Sequence, residues 1–208
     1  DPCHMDEADF DETRHLEHMS RDGIQVILLR HHLLNLRLRY IMGDVNGTRQ
    51  AGRACRKLLH YHLGTLIIPE FQFYYALALA AEYFSASKAF RPVLSRRIRY
   101  CRNRLKRLAK SCPENFEHKH LLIAAEYERI CDRRLNAMPL YHQSADEARK
   151  NGFIQNYAIA NELAAKFYFT QDFHEIARTS LTAARDAYRK WGASAKVQRL
   201  EHDHPEIF

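Results

Sequence analysis

The chain contains 208 residues, of which 46% are hydrophobic, and it carries a formal net charge of +7. Only seven Gly and six Pro occur over this length, which leaves few turns for a strand-rich fold and favours helices. No stretch approaches the roughly eighteen uncharged apolar residues of a membrane span, and the acidic start differs from a signal peptide. Five dispersed cysteines without a CxxC pair are typical of reduced thiols. We therefore expect a cytoplasmic protein without a membrane span.

Charge is unevenly distributed along the chain. Residues 1–17 contain seven acidic residues against the single base Arg14, whereas residues 83–113 contain ten basic residues and no acidic one. We expect the acidic lead-in, residues 1–20, to be partly disordered or the remnant of a preceding helix. Because the first residue is not Met, we interpret the chain as a segment of a longer protein.

Hydrophobic spacing predicts helices at residues 24–41, 48–63 and 71–84, with Gly64 as the cap of the second. The loop at 44–50 is predicted to be longer than a standard turn. Three-four spacing assigns the following apolar residues to the buried face of the first helix: Ile24, Ile27, Leu28, Leu34, Leu38 and Ile41, with Leu29 and Leu33 beside them.

Residues 92–112 have the clearest amphipathic pattern. The predicted apolar face consists of Leu94, Ile98, Cys101, Leu105, Leu108 and Cys112. The candidate basic contact surface on the same helix consists of Arg96, Arg97, Arg99, Arg102, Arg104, Lys106, Arg107 and Lys110. We favour a surface that is solvated or faces an acidic protein. Nucleic-acid phosphate, with Tyr100 stacking on a base, is the alternative, and a membrane surface is a weaker one.

The last part of the chain repeats itself. Helices are predicted at 115–131, 134–150, 153–170, 173–191 and 194–201. Small and large residues recur forty positions apart and are predicted to pack each repeat: Ala124, Ala125, Tyr127, Ala137 and Tyr141, then Ala164, Ala165, Phe167, Ala177 and Leu181. This period predicts an all-α fold of antiparallel helix hairpins, stacked as a tetratricopeptide-like α-solenoid of about eight or nine helices. The repeat domain is predicted to span residues 21–203, with a tail at 204–208.

Several short and uncommon sequence motifs occur in order in the second half of the chain. Residues 112–116 read CPENF, 161–168 read NELAAKFY, 183–188 read AARDAY and 191–197 read WGASAKV. This order resembles the helical region of very large signalling kinases of bacteria and fungi. Those proteins combine a protein-kinase-like domain, a STAND-type ATPase, helical repeats, a GAF domain and a sensor histidine kinase. The resemblance, over roughly residues 21–203, implies a role in two-component signal transduction, with other domains of the same chain or a signalling protein as partner.

Other site patterns are weak. The segment 47–54 resembles a phosphate-binding loop, but it lacks the Lys-Ser/Thr pair, and Arg53 and Ala54 at its end are predicted to lie inside a helix. Thirteen histidines include several i, i+2 pairs, which point to different sides of a helix and cannot share a metal ion. We find no signature of a catalytic nucleophile or of paired carboxylates. We therefore expect a non-catalytic segment without a cofactor, while an enzyme with a spatially assembled site is the second alternative.

Overall fold

The structure is a computed structural model that describes residues 12–21, 23–62 and 66–208. Within those ranges it contains ten α-helices, a short 3-10 helix at Leu59–His62 and no strand, which confirms the all-α prediction. The α-helices are α1 (Glu12–Arg21), α2 (Gln25–Ile41), α3 (Val45–Leu58), α4 (Ile67–Glu82), α5 (Arg91–Ser111), α6 (Pro113–Ile130), α7 (Arg134–Lys150), α8 (Ile154–Phe169), α9 (His174–Trp191) and α10 (Ser194–Asp203). None of the helices in this described part is long and apolar enough to cross a membrane.

The chain divides into two compact units, residues 1–82 with α1 to α4 and residues 83–208 with α5 to α10. The sequence prediction treats 21–203 as one repeat domain and does not include this division. The acidic lead-in overlaps α1, while the rest of the lead-in, residues 1–11, and the predicted cap Gly64 lie outside the described residues.

In the first unit, the buried face of α2 differs from the predicted one. Ile27, Leu34 and Leu38 are 46%, 58% and 37% exposed. The prediction was wrong at these three residues and at Ile24, which is 38% exposed. It was correct at four residues, Leu28, Leu29, Leu33 and Ile41. The error arose because leucines occur on most sides of this helix, so more than one three-four series can be drawn through it. The face that packs against α3 and α4 is the buried one. It contains Leu28, Leu29, Leu33, Leu36 and Ile41.

The start of α3 also differs from the prediction. The Asp44 carboxylate accepts a hydrogen bond of 2.9 Å from the Gly47 backbone N–H and an ion-paired hydrogen bond of 2.7 Å from Arg39. These contacts make Asp44 the N-cap of α3, and they hold the pKa of its carboxyl below the usual range. The long loop predicted at 44–50 was therefore wrong, because the helix begins one residue after its cap.

The four turns that follow α6, α7, α8 and α9 share one geometry. Asp132, Gly152, Asp172 and Gly192 follow one another at intervals of twenty residues and have φ angles of 54°, 79°, 59° and 87°. In each turn the backbone N–H of the following residue donates to the carbonyl five positions earlier, at 2.8 to 3.1 Å. This is the Schellman helix end, which requires a left-handed residue. The forty-residue repeat therefore contains two helices that end in the same way.

Replacing the left-handed aspartate by glycine should stabilise the fold. We expect Asp172→Gly to raise the free energy of unfolding by about 0.5–1 kcal/mol, because only glycine adopts this conformation without strain. The Asp172 side chain is 95% exposed, so little contact is lost. Gly192→Ala should lower the same free energy by about 1 kcal/mol, although nothing lies within 4 Å of the added Cβ. Urea unfolding measures both changes, and equal stability of the two variants would contradict this explanation.

The two hairpins α6–α7 and α8–α9 bury the repeated residues. Ala125, Ala137, Ala165 and Ala177 are fully buried, which lets the two helices of each hairpin approach closely. Of the other predicted packing residues, Ala124, Ala164, Tyr141, Phe167 and Leu181 are buried and Tyr127 is half-buried. Helix α6 also contacts α8, so the second hairpin packs beside the first. Continuation of this stacking as a solenoid stays a prediction.

Candidate interaction surface

Helix α5 begins the second unit and packs on α6 along one side. The predicted apolar face is correct at four positions and differs at its end, where Leu108 and Cys112 are half-buried and Ala109 is buried. The shift follows from the helical period, because a strict three-four series drifts relative to a straight helix. The buried side chains are Leu94, Ile98, Cys101, Leu105 and Ala109.

Most of the candidate basic residues lie on the opposite side of α5. The exposed ones, defined here as the basic face, are Arg96, Arg99, Arg104, Lys106, Arg107 and Lys110. The two others are half-buried. Arg102 lies 3.8 Å from the Glu128 carboxylate and places its guanidinium 4.4 Å from the centre of the Tyr127 ring, so it joins α5 to α6. Arg97 has contacts of its own. Tyr100, which is 60% exposed, lies among the exposed cations.

A second polar cluster is buried between α8, α9 and α10. The Glu162 carboxylate lies 2.8 Å from the Lys196 ammonium and 2.7 Å from that of Lys166, and it accepts a 2.8 Å hydrogen bond from the Tyr188 hydroxyl. Glu162 and Lys196 are each less than 10% exposed. Burial alone would raise the pKa of Glu162, but the two lysines lower it to about 2. The Glu162 carboxylate is therefore charged at neutral pH, and its contacts join the three helices.

A related contact lies inside the preceding hairpin. The Tyr141 hydroxyl donates to the buried Glu126 carboxylate, at 2.5 Å, and Arg129 forms an ion pair with the same carboxylate at 2.6 Å. Burial and the Glu126 charge raise the pKa of Tyr141 well above its usual value. These contacts join α6 to α7 within the hairpin.

The glycines of the segment that resembles a phosphate loop have packing roles. A Cβ at Gly47 would lie 2.1 Å from the Asp44 carboxylate, and one at Gly52 would lie 3.1 Å from the Tyr75 ring. Both glycines are inside α3, which was predicted for Gly52 but not for Gly47, because the predicted helix begins at residue 48. A working phosphate loop must follow a β-strand, and this segment follows α2 instead.

The histidines are distributed over separate environments. His118 is 1% exposed, its ring stacks on Phe153 with 4.4 Å between centroids, and neither ring nitrogen has a hydrogen-bond partner. Burial lowers its pKa to about 4. His120, two residues later, has a pKa lowered to about 4 by burial and by the charges of Lys106 and Arg102. Among the described residues, no group of three or more His, Cys, Asp or Glu side chains could hold a metal ion.

Comparison of the chain with protein-family models, curated proteins and solved structures finds no match.

Three of the four sequence motifs that carry the resemblance to signalling kinases each contribute a residue to the buried Glu162 cluster. Glu162 lies in NELAAKFY, Tyr188 ends AARDAY and Lys196 lies in WGASAKV. The first motif, CPENF, forms the junction of α5 and α6, where Cys112 precedes the helix, Pro113 begins it and Phe116 is buried. The residues of these motifs therefore have a structural role, because they join neighbouring helices.

Proposed function

We propose that this chain is a non-catalytic helical-repeat module, which mediates protein–protein interaction and couples neighbouring domains within a multidomain sensor kinase or ATPase. The observation that carries the proposal is the pair of equivalent hairpins, α6–α7 and α8–α9, with fully buried alanines forty residues apart. Stacked helix pairs of this kind bury a continuous core and present long polar surfaces, which proteins use for docking. The resemblance to the helical region of signalling kinases supports the same function.

Coupling requires that a displacement at one end of the module is carried to the other. Helix α8 contacts α7, α9 and α6, and the Glu162 cluster ties α8 to α10 through Lys196. A charged contact of this kind has one preferred geometry, so the joined helices move together. Helices α6 to α10 of the second unit thus form a stiff connection between the two ends of this group of helices.

The reading frame that encodes the chain tests the proposal directly. We expect it to encode a protein-kinase-like domain and a STAND-type ATPase upstream, and a GAF domain and a sensor histidine kinase downstream. Flanking sequence without kinase or ATPase motifs would contradict the signalling context.

In such a parent protein, a change that places a charge in the core between α8 and α9 would test the coupling. We expect Ala177→Glu, at a fully buried position, to abolish stimulus-dependent phosphorylation of the histidine kinase while its basal phosphorylation persists. The exposed neighbour offers a matched control, Arg178→Glu, which should leave the response unchanged. An unchanged response in both variants would show that signals bypass the module.

A further inference from the structure

We propose that the basic face of α5 is a docking surface for an acidic segment of a partner protein. This inference rests on the proposed function as an interaction module and names the chemistry of the partner. Its six cations are Arg96, Arg99, Arg104, Lys106, Arg107 and Lys110, and all six are exposed. Among the described residues, none of the six has an ion pair or a hydrogen bond.

On the other long helices of the unit, several surface cations pair with acidic residues. On α7, Arg149 and Lys150 pair with acids three residues earlier, at 3.2 and 3.3 Å. On α9, Arg189 pairs with Asp186 at 3.6 Å and with Glu201 of α10 at 2.8 Å. The other α-helices of the second unit each contain both signs of charge, whereas α5, like α2 and α3 of the first unit, contains no acidic residue. Within the second unit, the basic face of α5 is therefore exceptional.

The crowding of like charges has a cost in the free protein. Arg96 and Arg99 are three residues apart, as are Arg107 and Lys110, while Lys106 and Lys110 are four apart. Like charges at these spacings are neighbours on a helix and destabilise it. An anionic partner would convert each repulsion into an attraction. The electrostatic energy of the basic face is therefore more favourable when an anionic partner is bound than in the free protein.

The dimensions of the basic face fit an extended or helical acidic segment. From Arg96 to Lys110 the helix rises about 21 Å at 1.5 Å per residue, with a cation on nearly every turn. At its end the acidic residues Glu114 and Glu117 begin α6, so the basic surface does not continue. A short acidic segment matches this limited length, because a carboxylate on each turn of a partner helix would meet one cation.

Nucleic acid fits the same face less well. Single strands are bound through several aromatic side chains that stack on successive bases, and Tyr100 is the one aromatic residue of α5. Duplexes are held by phosphate contacts on both sides of a groove, whereas these cations lie on one face of one helix. A long polyanion would also extend beyond α5 toward Glu114. The charge pattern therefore favours an acidic polypeptide.

The test measures binding of two probes to the full 208-residue chain by fluorescence anisotropy. The first probe is a labelled peptide of repeated Glu-Glu-Ala-Ala, and the second is a labelled duplex DNA of about twenty base pairs. The variant that alters the face is Arg99→Glu with Lys106→Glu. The matched control is Arg178→Glu with Lys190→Glu, which reverses one exposed Arg and one exposed Lys on α9 and gives the same net charge.

We expect the peptide to bind the unaltered chain and the control alike, and the face variant to bind about tenfold more weakly. Binding should weaken as NaCl rises from about 50 to about 500 mM, because the charges are exposed. Equal peptide binding by the two variants, or no binding by the unaltered chain at low salt, would overturn the proposal. Tighter binding of DNA than of peptide, lost in the face variant, would assign the face to nucleic acid instead.

The result is independent of the signalling context. Helical content of every variant, measured by circular dichroism, shows whether a loss of binding reflects unfolding. If the peptide binds as expected but the flanking reading frame contains no kinase or ATPase motifs, the docking surface stands and the signalling context fails. If the frame matches and the peptide does not bind, only the basic face is refuted.

Discussion

Replacement of Glu162 by glutamine should lower the free energy of unfolding by about 3–5 kcal/mol, since it leaves the buried Lys196 ammonium without its anion. The change keeps the shape of the side chain, so the loss measures charge and not volume. Glu162 lies 2.8 Å from Lys196 and accepts a hydrogen bond from Tyr188. Urea unfolding followed by circular dichroism at pH 7 measures the difference. We expect a shift of the midpoint to lower urea with an unchanged slope.

A surface ion pair provides the matched control. Asp146 and Arg149 lie 3.2 Å apart with side chains 68% and 69% exposed, so Asp146→Asn should cost less than about 1 kcal/mol. Adding Lys196→Met to Glu162→Gln removes the orphaned charge and should recover part of the lost stability. Equal costs for Glu162→Gln and Asp146→Asn would show that the cluster is solvated. No recovery in the double variant would show that the loss does not come from the buried lysine.

The helices of the second unit could be predicted from the sequence to within about two residues, because local signals mark their ends. Pro113 begins α6, and Gly152 and Gly192 end α7 and α9 with left-handed backbone. In the first unit the local signals for helix ends conflict with one another, so the helix boundaries were predicted less well. The turn before α3 is completed by the Asp44 side chain and Arg39, and the spacing of apolar residues does not report such a contact.

The buried Glu162 cluster could not be predicted from hydrophobic periodicity, because Glu162 and Lys196 are thirty-four residues apart and lie on different helices. One signal was present. The repeat aligns Glu162 with Leu122, which is 1% exposed, so an acid occupies a core position of the second hairpin. A buried carboxylate needs a cation nearby. The partner, however, could be identified only from the packing of α10.

Acid should weaken the fold between pH 6.5 and pH 4 through His118 and His120, the two histidines whose pKa values are lowered to about 4. Burial lowers the pKa of the His118 ring to about 4, so the unfolded chain takes up a proton below pH 6.5 while the folded chain does not. The stability that depends on the neutral ring is complete above pH 6.5 and is lost as the pH falls toward 4. At about 1.4 kcal/mol per pH unit, His118 accounts for a loss of about 3 kcal/mol.

Variants at a buried and an exposed histidine separate this effect from general titration. His118→Leu should reduce the dependence of unfolding free energy on pH between 6.5 and 4.5 to the part that His120 contributes, and His202→Leu, at a side chain 88% exposed, serves as the control. The ion pairs of Glu162 do not interfere, because a pKa of about 2 keeps this carboxylate charged throughout that range. An identical pH profile for His118→Leu and the unaltered chain would mean that the His118 ring is hydrated in solution. The stacking of His118 on Phe153, which joins α6 to the turn before α8, would then contribute little to holding the two hairpins together.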